Sequence, residues 1–208
     1  MAAAALRALA SGARDVLGTS LSESQRESFD KYLKLLRKWQ RVQRLVGSDD
    51  PAWIVEHLFL DSLLFLKVLP QNLRSLADVG SGAGFPGLPI KIVRPDVGVT
   101  LIEARARRVS FLSQVVRELA LDGVRVVNER VERLVCAEAR AYDAVVMRCA
   151  GDLAALLERV AGLVRPGGLV VASGPPSRRD LPRGEWIEVP GLSRGSQRRF
   201  AVLRVQDL

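Results

Sequence analysis

The sequence predicts an α/β fold: a mostly parallel sheet, a helical segment in front of it and an antiparallel hairpin at its edge. Three observations carry this. From Leu76 onward, strand-like and helix-like runs alternate, which implies parallel strands joined by helical crossovers. The last two β-rich runs, "GEWIEVPG" and "RRFAVLRV", have no helix signal between them, as an antiparallel pair would. Directly after the first strand comes "DVGSGAGFPG", Asp78 to Gly87, with four glycines where a buried strand should turn. A chain of 208 residues that is 48% hydrophobic can bury one substantial core. The boundary between helical front and sheet is expected near Gln71 to Arg74. It divides a helical cap, residues 1–70, from a sheet portion, residues 71–208, of the same domain.

The opening "MAAAALRALASGAR" reads as a short amphipathic helix, with Leu6 and Leu9 on one side, rather than as a transit peptide. In "LSESQRESFDKYLKLLRKWQRVQRLVG", Ser22 followed by Gln25 fits a capping box. Phe29, Leu33, Leu36, Trp39 or Gln40, and Val42 or Gln43 then recur at helical spacing. Lys31, Lys34, Arg37, Lys38, Arg41 and Arg44 fill much of the other face, either as a solvated surface or as a ridge that meets phosphates. "DDPAWIVEHLFLDSLLFLKVLP" is a second helix, capped by Asp49 or Asp50, with Pro51 in its first turn and an apolar body.

The alternation then runs in order. "SLADVG" is a strand, "FPGLPIKIVRP" a helix after a loop, and "VGVTLIEA" a strand. "RRVSFLSQVVRELAL" is a helix with Val109, Leu112, Val116 and Leu119 along one side. "VRVVN" is a strand, "RVERLVCAEA" a short helix, "YDAVVMR" a strand, "DLAALLERVAGLV" a helix and "GGLVVASG" a strand.

Composition narrows the chemistry. The formal net charge of +8 favours polyanionic partners such as nucleic acid, although an arginine-rich genome would leave the same mark. Cys136 and Cys149 form no CxxC, so a reduced, intracellular protein is expected. His57 is the only histidine, which excludes a histidine-rich metal site. Its neighbour Asp61, one turn away, is expected as a packing partner rather than as half of a catalytic dyad. No apolar run approaches the roughly 20 residues needed to span a bilayer.

In open α/β sheets ligands bind beyond the carboxyl ends of the strands. A glycine-rich turn there lets the backbone approach a ligand closely. The opening glycines are therefore expected to cradle a nucleotide-like cofactor. Gly82, Gly84 and Gly87 match the dinucleotide pattern GxGxxG, which leaves an NAD(P)-binding oxidoreductase open. Gly80, Gly82 and Gly84 after Asp78 match GxGxG, the pattern common in S-adenosylmethionine (SAM) enzymes. Glu103 closes the second strand, where an acid binds ribose hydroxyls in either class. The front helices, "NERVE" after the third strand and the terminal hairpin favour SAM, with Arg130 and Val131 flanking adenine.

Taken together, "LSESQ…YLKLLRKWQRVQRL", "HLFLDSL", "DVGSGAGFPGLPIKIVRPD", "RVSFLSQVVREL", "YDAVVMRC" and "RRFAVLRV" resemble the RsmG (GidB) family from about Leu21 onward. Its members are bacterial methyltransferases acting on guanine N7 in the 530 loop of 16S ribosomal RNA. The resemblance implies a Rossmann-like class I SAM-dependent methyltransferase fold, with a seven-stranded sheet and an N-terminal helical cap. It implies cofactor contacts at Gly80, Phe85, Arg130, Val131 and Arg148. Arg148, ending the fourth strand, and Arg198, before the last strand, match family arginines and are the candidate substrate-positioning residues. The implied partner is 16S ribosomal RNA or the assembling small subunit, bound by a cytoplasmic monomer. Three positions depart from the family: Gln40 and Arg44 stand where asparagines are usual, and Ser173 where a lysine is usual. Arg178 and Arg179 could replace the lost charge, and Ser173 keeps open a non-catalytic SAM- or RNA-binding assembly protein.

Guanine N7 has an exposed lone pair and no proton, so its methylation needs no general base. Proximity and alignment then carry the catalysis. The aromatic-tailed motif expected for exocyclic amine methylation is missing: "MRCAGD" stands in its place after the fourth strand. Cys149 beside Arg148 is expected to pack at a strand end rather than to act as a nucleophile.

Overall fold

The computed structural model describes residues 2–148, 153–173, 181 and 183–206. Helix α1 (Ala2–Leu17) buries Ala5, Leu9, Ala13 and Val16, one residue per turn, and leaves Leu6 half-buried. Helix α2 (Glu23–Gln40) starts on the expected capping box: the Gln25 amide donates to Ser22 Oγ at 3.2 Å, and the Ser22 amide to Gln25 Oε1 at 2.8 Å. It stops earlier than its periodicity suggests. Gln40 turns back, accepting from the Leu45 and Val46 amides at 2.7 and 3.0 Å and donating to the Val46 carbonyl at 2.7 Å. The chain thus leaves the helix after Gln40, and Val42 ends up 85% exposed instead of packed.

The second helical run is continuous but irregular. It begins as α3 (Pro51–Ile54), capped by Asp50, whose Oδ2 accepts from the Trp53 amide at 2.9 Å. A π-helical turn (Val55–Leu60), a short α turn, α4 (Asp61–Leu63), and a 3-10 turn (Leu64–Lys67) follow.

The strands are β1 (Ser75–Val79), β2 (Gly98–Ile102), β3 (Val124–Val127), β4 (Tyr142–Arg148), β5 (Val164–Ser173), β6 (Glu185–Pro190) and β7 (Gln197–Arg204). Between them run α5 (Gly87–Val93), α6 (Ala106–Glu118), α7 (Val131–Ala137) and α8 (Leu153–Ala161). They form one seven-stranded sheet in the order β3-β2-β1-β4-β5-β7-β6. Strands β1 to β5 pair in parallel; β7 is antiparallel to both β5 and β6. Two strands, β2 and β3, build outward from β1, and the chain then returns to lay β4 on its other side. The tips of β1 and β4 therefore flank the topological switch point, where open α/β sheets bind ligands.

Two cores follow from side chains alternating across the sheet. Leu76, Val99, Leu101, Ala144, Val146, Leu169, Val171, Phe200 and Val202 point forward, into a core shared with α1 to α6. Ala77, Val145, Met147, Val170, Ala172, Ala201 and Leu203 point backward, toward α7 and α8. Helix α6 buries Phe111, Leu112 and Val115, and its C-cap Leu119 is buried too, while Val109 and Val116 are only half-buried. The expected stripe is thus rotated, because Phe111 joins Tyr32 and Trp39 of α2 at centroid distances of 6.5 and 5.5 Å.

Candidate active site

The glycine loop separates into two kinds of glycine. Gly80 and Gly82 have φ of +70° and +59°, a backbone region that glycine enters without steric penalty. Among the described residues, a Cβ on Gly80 would meet nothing within 4 Å, and one on Gly82 nothing nearer than 3.6 Å, so this stretch of backbone lies bare. Gly84 and Gly87 are small for packing instead. A Cβ on Gly84 would lie 2.3 Å from Leu88 and 2.7 Å from the Tyr32 hydroxyl, and one on Gly87 2.7 Å from Asp78 Oδ2. Only the Gly80–Gly82 half offers room for a cofactor.

The loop is held from below. Gly80 and Ser81 donate to the Ile102 carbonyl at 2.9 and 3.1 Å, and the Ser81 hydroxyl to the Asp78 carbonyl at 2.8 Å. Asp78 is fully buried at the end of β1 and accepts from the Gly87 amide at 2.8 Å, while its Oδ1 is buried without a hydrogen-bond partner among the described residues. Burial pushes its carboxyl up to about 7, against the opposing pull of the Gly87 N–H and Arg148. From the front, the Tyr32 hydroxyl donates to the Ala83 carbonyl. Burial raises the pKa of that hydroxyl well above its ordinary value, which keeps it a neutral donor. The Tyr32 ring stacks on Phe85 at 5.4 Å and 14°. Phe85 therefore turns its ring into the core, and what it can offer a cofactor is backbone.

Glu103 stands at the tip of β2, facing the loop. Its Oε2 accepts from the Gly82 amide at 3.0 Å and its Oε1 from the Arg105 amide at 2.9 Å, with Arg108 3.6 Å away. Each oxygen has a further lone pair, so the carboxylate can still accept from hydroxyls. Asn128, at the tip of β3, ties its amide to the Glu103 and Ala104 carbonyls, each at 3.1 Å. Arg130 is exposed at the N-cap of α7, and Val131 is buried in its first turn. Loop, acid and α7 start thus line neighbouring strand tips, as a nucleotide-like cofactor requires.

Across the switch point stand the arginines. Arg148 ends β4; Arg198 lies inside β7 rather than before it. In register Arg148 pairs with Ser173, and Ser173 with Phe200, so these three share the front face, joined by Arg198, two residues before Phe200 on the same strand. Asp61 meets both guanidiniums. Its Oδ2 is 3.0 Å from Arg148 Nη2 and accepts from Arg198 Nη2 at 3.2 Å; its Oδ1 is 2.7 Å from Arg198 Nε, although that N–H is not aligned for a hydrogen bond. Arg148 Nη2 also donates to the His57 carbonyl at 2.8 Å. Arg198 sits over the Phe200 ring at 5.7 Å. Burial lowers the Arg148 pKa, against the raising pull of Asp61, yet an arginine stays cationic.

The expected His57–Asp61 packing pair is replaced by other partners. The exposed His57 ring stacks on Trp53 at 4.9 Å and 9°, while Asp61 serves the arginines. The sequence signal for Asp61 was a single acid inside the apolar "HLFLDSLLFL", where a charge requires a partner. Tyr32 gave no such signal, since its spacing reads simply as core. Cys149, Arg178 and Arg179 lie outside the described residues. Among the described residues no His/Cys/Asp/Glu cluster could hold a metal ion, and no helix is long and apolar enough to cross a membrane.

Comparison with known proteins adds a family. The family model "GidB: rRNA small subunit methyltransferase G" matches residues 25–177. A ribosomal RNA small subunit methyltransferase G of Aromatoleum aromaticum is 38% identical over 201 residues, covering 90% of this chain and 93% of its own. One from Neisseria meningitidis serogroup A is 38% identical over 174 residues, covering 84% and 80%. Among solved structures, P. horikoshii TYW2 in complex with MeSAdo aligns with a TM-score of 0.52 at 15% identity, over 64% of this chain and 58% of that one. At that identity the likeness speaks to the fold alone.

Proposed function

Because this chain belongs to the GidB family, rRNA small subunit methyltransferase G, we propose that it methylates guanine N7 in the 530 loop of 16S ribosomal RNA, with SAM as donor. One observation supports the reading most: a bare glycine backbone at the β1 tip and a paired-arginine cluster at the β4 tip face the same switch point. When bound, SAM supplies an electrophilic methyl group on a sulfonium sulfur. The residues proposed to hold it are Asp78, Gly80, Gly82, Gly84 and Phe85 of the loop, Glu103 at the ribose, Arg130 and Val131 beside the adenine, and Arg148 at the reactive end. Gly84 and Phe85 contribute backbone only, since Leu88 and Tyr32 fill the space around them.

Arg148 and Arg198 orient the guanine. A guanidinium can donate to guanine O6, stack on the base or grip a phosphate. The attacking nitrogen carries no proton, so the chain's own residues need not remove one. Their work is to hold base and donor in line, which can lower a barrier by about 7–11 kcal/mol at best. The helical cap, residues 1–70, and the sheet portion, residues 71–208, act as one domain in this reading, as their common front core supports. The protein works as a monomer in the cytoplasm, where small subunits assemble.

The test is mass spectrometry of small-subunit RNA incubated with protein and methyl-labelled SAM. Label at guanine N7 of the 530 loop is expected. Unlabelled RNA with SAM bound would favour a non-catalytic assembly protein, the reading that Ser173 keeps open. Tight NADH binding with no response to SAM would favour an oxidoreductase.

A further inference from the structure

We propose that Asp61 is a positioning residue for the reaction: one carboxylate on the front helices aims Arg148 and Arg198 together at the RNA. The role rests on the methyltransferase reading above. Asp61 lies within the apolar run "HLFLDSLLFL", and its two oxygens reach arginines from two different strands, at 3.0 Å to Arg148 and 2.7 Å to Arg198. Helix, β4 and β7 meet at this one group.

The helix departs from regular geometry beside it. The π turn Val55–Leu60 ends at Asp61, and within that turn the His57 carbonyl accepts from Arg148 Nη2 at 2.8 Å. Single π turns inside helices frequently accompany functional sites. Arg148 Nη2 is thus held twice, whereas its Nη1 is buried with no hydrogen-bond partner among the described residues. A buried guanidinium N–H without an acceptor is costly unless a ligand completes it.

Charge points the same way. One carboxylate against two guanidiniums leaves the trio at +1, with a free donor on Arg148. A purely structural ion pair would need no second arginine. The surplus charge and the open donor suit an oxygen acceptor on the RNA substrate, and Asp61 keeps two like charges from splaying apart.

The experiment compares wild type, Asp61→Asn, Arg198→Ala and the double variant in steady-state RNA methylation, with SAM affinity measured by calorimetry. Asp61→Asn should lower kcat/KM for RNA by about 10–100-fold, the scale of an ångström misplacement, with a smaller loss of SAM affinity, since Arg148 is one of several residues that hold the donor. The double variant should lose less than the product of the two single losses, because the part of the acid's effect that runs through Arg198 is already gone and only its hold on Arg148 remains. Asp61→Glu, which restores the charge one methylene further out, should recover most of the loss. Asp61→Asn turning over within twofold of wild type would overturn the role, as would losses that multiply in the double variant or no recovery with glutamate. Absence of methyl transfer by wild type would instead overturn the methyltransferase reading, and the role with it.

Discussion

Replacing Gly80 and Gly84 separately by alanine should separate the two jobs of the glycine loop. Both residues have positive φ, +70° and +94°, where an alanine costs about 1–2 kcal/mol. At Gly84 the new methyl would also lie 2.3 Å from Leu88 Cδ1 and 2.7 Å from the Tyr32 hydroxyl, and overpacking of that kind adds about 1–3 kcal/mol. Gly84→Ala should therefore lose about 2–5 kcal/mol, or about 4–20 °C in Tm for a chain this size. At Gly80 the added methyl would meet no atom of the described residues within 4 Å, so only the backbone term applies, about 2–8 °C. The donor-binding surface is where Gly80→Ala should fail. A methyl forced into a close backbone–ligand contact costs about 1–3 kcal/mol, about 5–150-fold in SAM affinity. Scanning calorimetry gives the first quantity and titration calorimetry the second. Gly80→Ala that binds SAM within twofold of wild type would refute the cradle, and Gly84→Ala that melts with wild type would refute the packing assignment.

Asp78 should make stability fall with pH. Its carboxyl rises from 3.8 to about 7 on folding, so its contribution is complete below about pH 4 and lost as pH climbs through 7, about 4 kcal/mol in all. Asp78→Asn should remove that decline from denaturant titrations across pH 4–8; an unchanged slope would assign it to other groups. Tyr32→Phe leaves the Ala83 carbonyl without its hydroxyl donor, costing about 1–3 kcal/mol, or about 2–12 °C in Tm; an unshifted melt would contradict this. Gln40→Ala removes the acceptor of the Leu45 and Val46 amides, so those two should exchange faster with deuterium while β1 amides keep their wild-type rates. Arg198→Ala should lower RNA methylation far more than SAM affinity, and equal losses in both assays would remove its role.

The order of strands and crossover helices was legible because the central strands, buried on both faces, read as short continuous apolar runs, while apolar residues recur each turn in the helices. The glycine loop was legible because few residues other than glycine adopt its positive φ. What the sequence hid was non-local. Nothing in the spacing of α2 reveals that Gln40 bends back to Val46, so Val42 reads as a packed position when it is 85% exposed. The stripe on α6 shifts toward Phe111 because α2 lies alongside it and supplies Tyr32 and Trp39. Arg148 and Arg198 were visible as candidates, but their common partner Asp61 comes from a helix far earlier in the chain, and no local pattern joins the three. The same holds for the split between Gly80 and Gly84, which share one motif and differ only in what surrounds them.

The most direct measurement is a titration of SAM into 15N-labelled protein, followed by amide shifts. The Gly80, Ser81 and Gly82 resonances should move together and saturate at one affinity, with the Arg105 amide, bonded to Glu103, moving alongside them. Saturable SAM binding that leaves those three amides where they started, and moves a different part of the sheet, would place the donor elsewhere.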